Sequence, residues 1–381
     1  MSRRILISSM LDPIGGCETH LYYLCKTLRA DGNDVTIAAQ HCELNAEWRG
    51  ELEDAGVRLL TPPTPPRSPA LRQLRALAHF STKLRREFDL LVGVKNGGLH
   101  RLLLPFLKPG GFSIYNLPTT SENLTRQTLF GMRGMDGVIT MSPRISEALR
   151  RDHGLTQPIA ALPHLNGPID PTDIPLARPA PAPDEPLRVA FFGRLNGFKR
   201  PDLLVRLWPT LRLGPAHLDI YGDGERLEAC RRLVEELDLS ERVRLHGAYR
   251  HQDARQLMSA AHLIVLPSNG LEGLPQVLVE ALACGVPFVA TDVGGIAELG
   301  DDNPNVIVTD CSEASIRQGI ERMAARVRSG DISPEQLRRI YRERYAFETV
   351  LDRWRHALTE PHTFFERFAL ARPPTAIAAV P

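Results

Sequence analysis

The stretch RILISSMLDPIGGCETHLYYLCKTLRADGNDVTIAAQ, residues 4–40, decides the fold. Its opening, RILISSM (4–10), is a largely apolar run of the length of a buried strand. Gly15 and Gly16 then break the chain, and Leu21, Leu24, Cys25 and Leu28 recur on one face at helical spacing. Gly32 stops that helix, and DVTIAAQ (34–40) reads as a second strand. Strand, helix and strand in this order form a βαβ unit, and its strands lie parallel because the helix carries the chain back to the starting edge.

The same alternation runs outward. VRLL (57–60), DLLVGV (89–94), FSIYN (112–116) and GVITMS (137–142) are further strand candidates, and the proline cluster PPTPPRSP (62–69) reads as a surface loop. A second cluster, ARPAPAPDEP (177–186), has the composition of a semi-rigid linker. After it the pattern restarts. LRVAFFG (187–193), HLDIYGDG (217–224), VRLHG (243–247), HLIVLPS (262–268) and PFVATDVGG (287–295) read as strands with their turns. ERLEACRRLVEELDL (225–239) and ARQLMSAA (254–261) read as helices between them. The reading is two doubly wound α/β domains meeting near residue 180. Ligands of such sheets bind beyond the carboxyl ends of the strands, so a cleft between the domains is the expected site.

Bulk properties agree with this. A chain of 381 residues exceeds one ordinary core. Hydrophobic content of 43% and charged content of 24% are those of a soluble globular protein, and a net charge of +1 gives no footprint for nucleic acid. The six cysteines show no CxxC pair and no metal spacing, which fits reduced core residues in a cytoplasmic protein. No apolar run is long enough to span a bilayer, and the N-terminus lacks the apolar core and cleavage site of a signal peptide.

Chemistry concentrates in LPSNGLEGLPQVLVEALACGVPFVATDVGG (266–295). Pro275 suits the first turn of a helix and Gly285 its stop. Leu274, Val277, Leu278, Ala281 and Leu282 share one face, and Glu280 lies off that stripe beside Val279 and Ala283. An ionised carboxylate in such company requires donors. Glu272 precedes the helix, whose free first-turn amides at 274–277 favour an anion. A diphosphate beside two carboxylates that accept hydroxyl protons describes a nucleotide sugar. The plain alternative is a core helix with one solvated glutamate.

Glu272 and Glu280, within EGLPQVLVEALACGVPFVATDVGGIAE, resemble the pattern of the large retaining GT-B glycosyltransferase family, the GT4-like or group 1 enzymes. The resemblance is strongest over 187–299 and extends over nearly the whole chain. It implies a GT-B fold, with an acceptor-side domain over 1–176, a nucleotide-sugar domain over 187–340, and helices of 341–370 returning to the first domain. Trp354, Leu351, Leu358, Phe364 and Phe365 are suitable anchors for that return, and the last eleven residues, ARPPTAIAAVP, are expected to be disordered. The resemblance also implies that Glu272 contacts the donor sugar, that Glu280 takes the ribose hydroxyls, and that the backbone of Gly273, Leu274, Pro275 and Gln276 holds sugar and phosphate.

In FFGRLNGFKRPDLLV (191–205), Arg194 and Lys199 are two cations in a loop opened by Gly193, suited to clamp a leaving diphosphate. The family has a similar loop with those roles. The alternative is a basic turn on a solvated surface, since Arg200 and Arg206 lie close by and read as exposed. Gly15 and Gly16 allow close approach of a ligand, and the family has a similar pair near diphosphate and acceptor; a plain strand-to-helix turn explains them equally. Glu18 and His20 are acceptor-side candidates and are as readily structural. The GxG of YGDGERLEA (221–229) lacks the third glycine of a dinucleotide fingerprint. Tyr249 and Arg250 are candidates for stacking on the base.

LRQLRALAHFSTKLRREF (71–88) is a basic amphipathic helix carrying Arg72, Arg75, Lys83, Arg85 and Arg86. An ordinary surface helix is the plainer reading, and peripheral contact with the inner face of a membrane the alternative. Many relatives have a histidine where Asn116 stands, and an amide is no general base. His100 and His164 are placed in loops of the first domain. The usual turn of the family is altered to PHLNGPID (163–170). No DxD motif stands out, and the adjacent Asp301 and Asp302 read as solvated, so neither metal nor cofactor is expected. The expected activity is retaining transfer of a hexose from a nucleotide-diphosphate sugar to a saccharide or lipid-linked saccharide acceptor in bacterial lipopolysaccharide or surface polysaccharide synthesis. The alternatives are an epimerase on the same fold and a sugar-nucleotide-binding scaffold without turnover.

Overall fold

The computed structural model describes residues 2–12, 15–63, 69–95, 97–122, 124–169, 173–174 and 176–370. Most of the 62–69 proline cluster, at 64–68, and the tail from 371 lie outside these residues. The chain divides into two compact units, Met1–Gly167 with Val350–Pro381, and Pro168–Thr349.

The first unit runs β1 (Arg4–Leu11), α1 (Gly16–Ala30), β2 (Asp34–Cys42), α2 (Ala46–Asp54), β3 (Arg58–Leu60), α3 (Pro69–Lys83), β4 (Phe88–Val94), α4 (Gly97–Leu103), β5 (Leu107–Leu117), α5 (Arg126–Arg133), β6 (Gly137–Thr140), α6 (Pro143–His153) and β7 (Ile159–Ala161). Its seven strands lie in the order β3-β2-β1-β4-β5-β6-β7, with every pairing parallel. Residues 5–9 of β1 are buried on both faces, as a central parallel strand covered by helices must be. The second unit runs β8 (Leu187–Phe192), α7 (Pro201–Leu207), β9 (Ala216–Tyr221), α8 (Leu227–Glu236), β10 (Val243–Gly247), α9 (Ala254–Ser259), β11 (Leu263–Leu266), α10 (Gln276–Cys284), β12 (Phe288–Thr291), α11 (Ala297–Gly300), β13 (Val306–Thr309), α12 (Glu313–Arg328) and α13 (Pro334–Arg344). Its six parallel strands lie in the order β10-β9-β8-β11-β12-β13. In each sheet the chain starts in the middle, builds to one side, then returns to build on the other. The switch points are therefore β1/β4 and β8/β11.

The last helices are α14 (Phe347–Thr359) and α15 (Pro361–Phe368). They pack into the first unit through apolar anchors and one strong ion pair. Trp354 is fully buried, its indole N–H donates to the Pro163 carbonyl (2.7 Å), and its ring lies against His20. Phe365 fills the space above Gly137, where a Cβ would come 2.4 Å from the ring. Arg355 makes a forked contact with Asp31, at 2.8 and 3.0 Å.

Three expectations change. Residues 168–186, read as the end of the first domain and a linker, belong to the second unit: the Ala177 amide donates to the Cys284 carbonyl (3.2 Å), and Arg178 pairs with Glu185 (3.0 Å). The basic helix ends at Lys83, so Arg85 and Arg86 fall outside it; Phe88 is already the first residue of a strand. His100 lies in α4 rather than in a loop, buried against Gly93 and Tyr115. Among the described residues no helix is long and apolar enough to cross a membrane.

Candidate functional site

At the second switch point two loops meet. One follows β8 and carries Lys199; the other follows β11 and carries Glu272. The Lys199 ammonium lies 2.5 Å from Glu272 Oε1, with the two side chains 13% and 8% exposed. The Ser268 hydroxyl donates to the same carboxylate oxygen (2.8 Å), and the Ser268 carbonyl accepts from the Thr291 hydroxyl. The loops are also joined through their backbones, the Asn269 amide donating to the Phe198 carbonyl (2.8 Å). Gly294 adopts φ +58°, and a Cβ there would stand 1.7 Å from the Glu272 carbonyl oxygen, so only glycine admits the backbone of Glu272 to this position.

Helix α10 begins immediately beyond. Pro275 is its extended N-cap and offers no side-chain acceptor, so the first turn gains no cap from that residue. Such an end carries partial positive charge. Every residue from Leu278 to Cys284 is buried, Glu280 included. Burial lifts the Glu280 carboxyl from 4.5 to about 7, against the pull of the Arg255 guanidinium. Tyr249 lies close enough for the Glu280 charge to add to burial in raising its phenol. The structure thus brings Lys199, Glu272, the α10 N-terminus, Glu280 and Tyr249 to one edge of this unit.

The remaining donor-side candidates are placed as follows. Gly193 follows β8, and its amide donates to the Tyr221 carbonyl (3.1 Å). Gly222, at φ +147°, lets the neighbouring turn press against it; a Cβ there would stand 1.9 Å from the Gly193 oxygen. Arg194 is exposed. Tyr249 sets its ring edge-on to Phe192 (5.7 Å) and Tyr221 (6.4 Å), while Tyr221 itself stacks on His246 (4.3 Å, 8°). Arg250 is 74% exposed and forked to Asp253 (2.7 and 3.1 Å), the N-cap residue of α9.

In the first unit, Gly15 is the extended N-cap of α1 and Gly16 its exposed first residue. Glu18, in the first turn, is buried and ion-paired to Lys95, which follows β4. Lys95 also reaches Asp12 (2.9 Å), whose other oxygen takes His41 Nε2 (2.9 Å). Burial pushes the Asp12 carboxyl up, but Lys95 and His41 outweigh it and hold the group below 3.8. Asn116 is fully buried; its Oδ1 lies 2.7 Å from His164 Nε2, and the His164 ring stacks on His20 (4.1 Å, 8°). The Leu165 amide donates to His20 Nδ1 (3.2 Å). His20 is 1% exposed, sandwiched between His164 and Trp354. Burial holds both histidines neutral, His20 well below 6.5 and His164 at about 3.

Sequence reasoning missed Ser268, Thr291, Lys95, Asp12 and His41. One signal was available: Asp12 and Lys95 follow an apolar strand run directly and Ser268 one residue later, where the carboxyl end of a parallel sheet exposes them to ligand or to each other. Among the described residues no group of three or more His, Cys, Asp or Glu could hold a metal ion.

Two doubly wound parallel units define a Rossmann-like α/β protein of the GT-B class. The sequence model of the Glycosyl transferases group 1 family matches residues 175–337, and that of Glycosyltransferase Family 4 matches residues 14–165. Together they take in both units, and the chain belongs to the GT4-like group 1 glycosyltransferases. A subunit of the phosphatidylinositol N-acetylglucosaminyltransferase of Homo sapiens is 29% identical over 198 residues, 51% of this chain and 40% of the relative. D-inositol 3-phosphate glycosyltransferase of Mycobacterium tuberculosis (strain F11) is 36% identical over 115 residues, 28% of this chain and 23% of the relative. The chain thus aligns with less than half the length of either. Among solved structures, Anabaena HepE in complex with UDP and glucose superposes with a TM-score of 0.73 at 19% identity, covering 94% of this chain and 100% of that one. The apo form of WaaB, a lipopolysaccharide outer core galactosyltransferase, gives 0.73 at 18%, covering 93% and 99%. At such identities the likeness is one of fold.

Proposed function

We propose that the chain transfers a hexose from a nucleotide-diphosphate sugar, with retention at the anomeric carbon, to a saccharide or lipid-linked saccharide in bacterial lipopolysaccharide or surface polysaccharide synthesis. The observation that carries this reading is the Lys199–Glu272 pair at the second switch point, beside the N-terminus of α10. A diphosphate competes with Glu272 for the Lys199 ammonium, and the freed carboxylate accepts sugar hydroxyls. The positive end of α10 and the exposed charge of Arg194 take up the rest of the negative charge. Ionised Glu280 receives the ribose hydroxyls, with Tyr249 beside it. The bond between the anomeric carbon and the diphosphate oxygen breaks, its electron pair leaving with the diphosphate. The acceptor oxygen bonds to the same face of the carbon, and its proton passes to the departing phosphate. No side-chain nucleophile, metal or cofactor enters this scheme. Buried Asn116 and neutral His164 and His20 shape the acceptor-side unit without acting as bases.

A thermal-shift series with UDP-, GDP-, ADP- and TDP-sugars tests the donor. A true donor raises the melting temperature by mass action, and Glu280→Ala weakens that rise. Silence across all four, or an unaltered response in the variant, overturns the reading. Conversion of free donor without acceptor would instead indicate epimerisation.

The acceptor-side unit also offers a membrane contact. On α3, Leu71 and Leu74 are 55% and 63% exposed, with Arg75 and Lys83 exposed on the same helix; the Arg72 side chain lies outside the described residues. Apolar and basic groups together suit an anionic lipid surface. Leu74→Glu should lower sedimentation with phosphatidylglycerol vesicles. Equal binding of the variant, or none by the wild type, removes this part of the proposal.

A further inference from the structure

Arg200 follows Lys199 directly, yet the scheme above gives it no task. Its backbone is left-handed, at φ +50°, immediately before Pro201 at the start of α7. A side chain bearing a Cβ is strained there, and the proline restricts the position further. Glycine serves such a turn best, and Arg200 provides no side-chain cap to α7. The guanidinium turns inward instead. Nε donates to the Pro267 carbonyl (2.6 Å), and Nη1 to the Cys311 carbonyl (3.0 Å). Nη2 is buried without a hydrogen-bond partner within the chain. Pro267 follows β11 and Cys311 follows β13, so this one side chain ties the loop after β8 to two other strand ends.

Those ties bracket the ion pair. Lys199 is the residue before Arg200, and Pro267 precedes Ser268, whose hydroxyl holds Glu272. We propose that Arg200 is a positioning residue, a half-buried strut that fixes the separation of the Lys199 and Glu272 loops and so presents the ammonium to the donor diphosphate. The ligand named here rests on the proposed function; the strut does not. A strained backbone is retained because the only side chain that reaches both carbonyls with a planar fork of donors is arginine. Lysine has one nitrogen and reaches at most one of them in the same geometry.

The experiment uses the full chain as wild type, R200G, R200A and R200K. Competitive acetylation by acetic anhydride, read by mass spectrometry against the other lysines, needs no ligand. R200G and R200A should raise the Lys199 rate about tenfold, as expected for loss of charge-assisted hydrogen bonds that hold one loop, with R200K between them and wild type. R200G should keep its melting temperature because relief of the backbone offsets the lost hydrogen bonds; should it fail to fold, R200K decides. UDP release from UDP-glucose without acceptor supplies the second readout. R200G should lower kcat about 10- to 100-fold with little change in KM. K199A/R200G should be no slower than K199A, because Arg200 acts through Lys199. Wild-type labelling of Lys199 in R200G and R200K, or additive losses in the double variant, overturns the proposal. Altered labelling with no turnover of UDP-glucose by any form leaves the strut standing and removes its service to this donor.

Discussion

The two switch points use the same pair of residue types in opposite order. In the first unit, Glu18 follows the central strand β1 and Lys95 follows its neighbour β4. In the second, Lys199 follows β8 and Glu272 follows β11. What surrounds them differs. Lys95 is shared with a second carboxylate, Asp12, which also holds His41, and the Asp12 amide turns back to Glu18 (3.3 Å). That cluster satisfies its own carboxylates. Glu272 has a neutral hydroxyl as its second partner, and the positive end of α10 lies beside it. One lysine is consumed in closing its own turn; the other is balanced one to one, next to a helix end that favours an anion.

The comparison is broken most directly by removing each lysine. Lys95→Met leaves the buried Glu18 carboxylate without its partner, and loss of one member of such a pair costs about 3–5 kcal/mol. Urea unfolding should show that loss. Lys199→Met leaves Glu272 with the Ser268 hydroxyl and less burden on the fold, but it removes a cation from the leaving diphosphate, worth about 100- to 1,000-fold in turnover. The contrast fails if Lys199→Met is the more destabilised variant and keeps its turnover.

Much of this is legible in the residues alone. The βαβ alternation, the restart after residue 186 and the α10 start and stop signals are local patterns of period and punctuation, and they locate the strands whose ends build the site. β7 and β13 are not legible; they are short, at three and four residues, and sit at sheet edges. Arg200 reads as one more exposed cation because nothing in FKRPD reveals a left-handed residue or carbonyls 67 and 111 positions away. His100 and His164 likewise take their meaning from Gly93 and Asn116, contacts of tertiary origin.

Acid sharpens the contrast between the units. His100 and His164 are held at about 3 by burial, against 6.5 when unfolded. Their contribution is fully present above pH 6.5 and is lost as pH falls toward 3, by about 1.4 kcal/mol per histidine per pH unit. Glu280 runs the other way. Burial raises it from 4.5 to about 7, so the folded protein binds the extra proton, and stability declines as pH rises from 4.5 through 7. Urea midpoints at pH 7.5 and pH 5 should separate the two. His100→Phe should flatten part of the acid loss in the first unit, and Glu280→Gln should flatten the acid gain in the second. Nucleotide affinity should fall below pH 7 as Glu280 takes up its proton. Identical pH curves for wild type and both variants would dissolve the distinction.

The smallest expected effect serves as the control. Ser142 caps α6 by accepting the Ile145 amide, and Ser312 caps α12 by accepting the Ser315 amide, each at 3.2 Å. Both serine hydroxyls are spent on their own helix amides, although Ser312 follows Cys311, whose carbonyl accepts from Arg200. Each serine replaced by alanine loses one satisfied amide and should cost about 1 kcal/mol, in either unit, with donor binding unchanged. The buried Ser142 also meets Thr140 through its carbonyl, which survives the substitution, so no larger loss is expected there. Equal and modest losses would assign the asymmetry to the switch points alone. A cap variant that altered Lys199 chemistry would mean that the asymmetry extends through the scaffold, and that the ion pairs are its symptom.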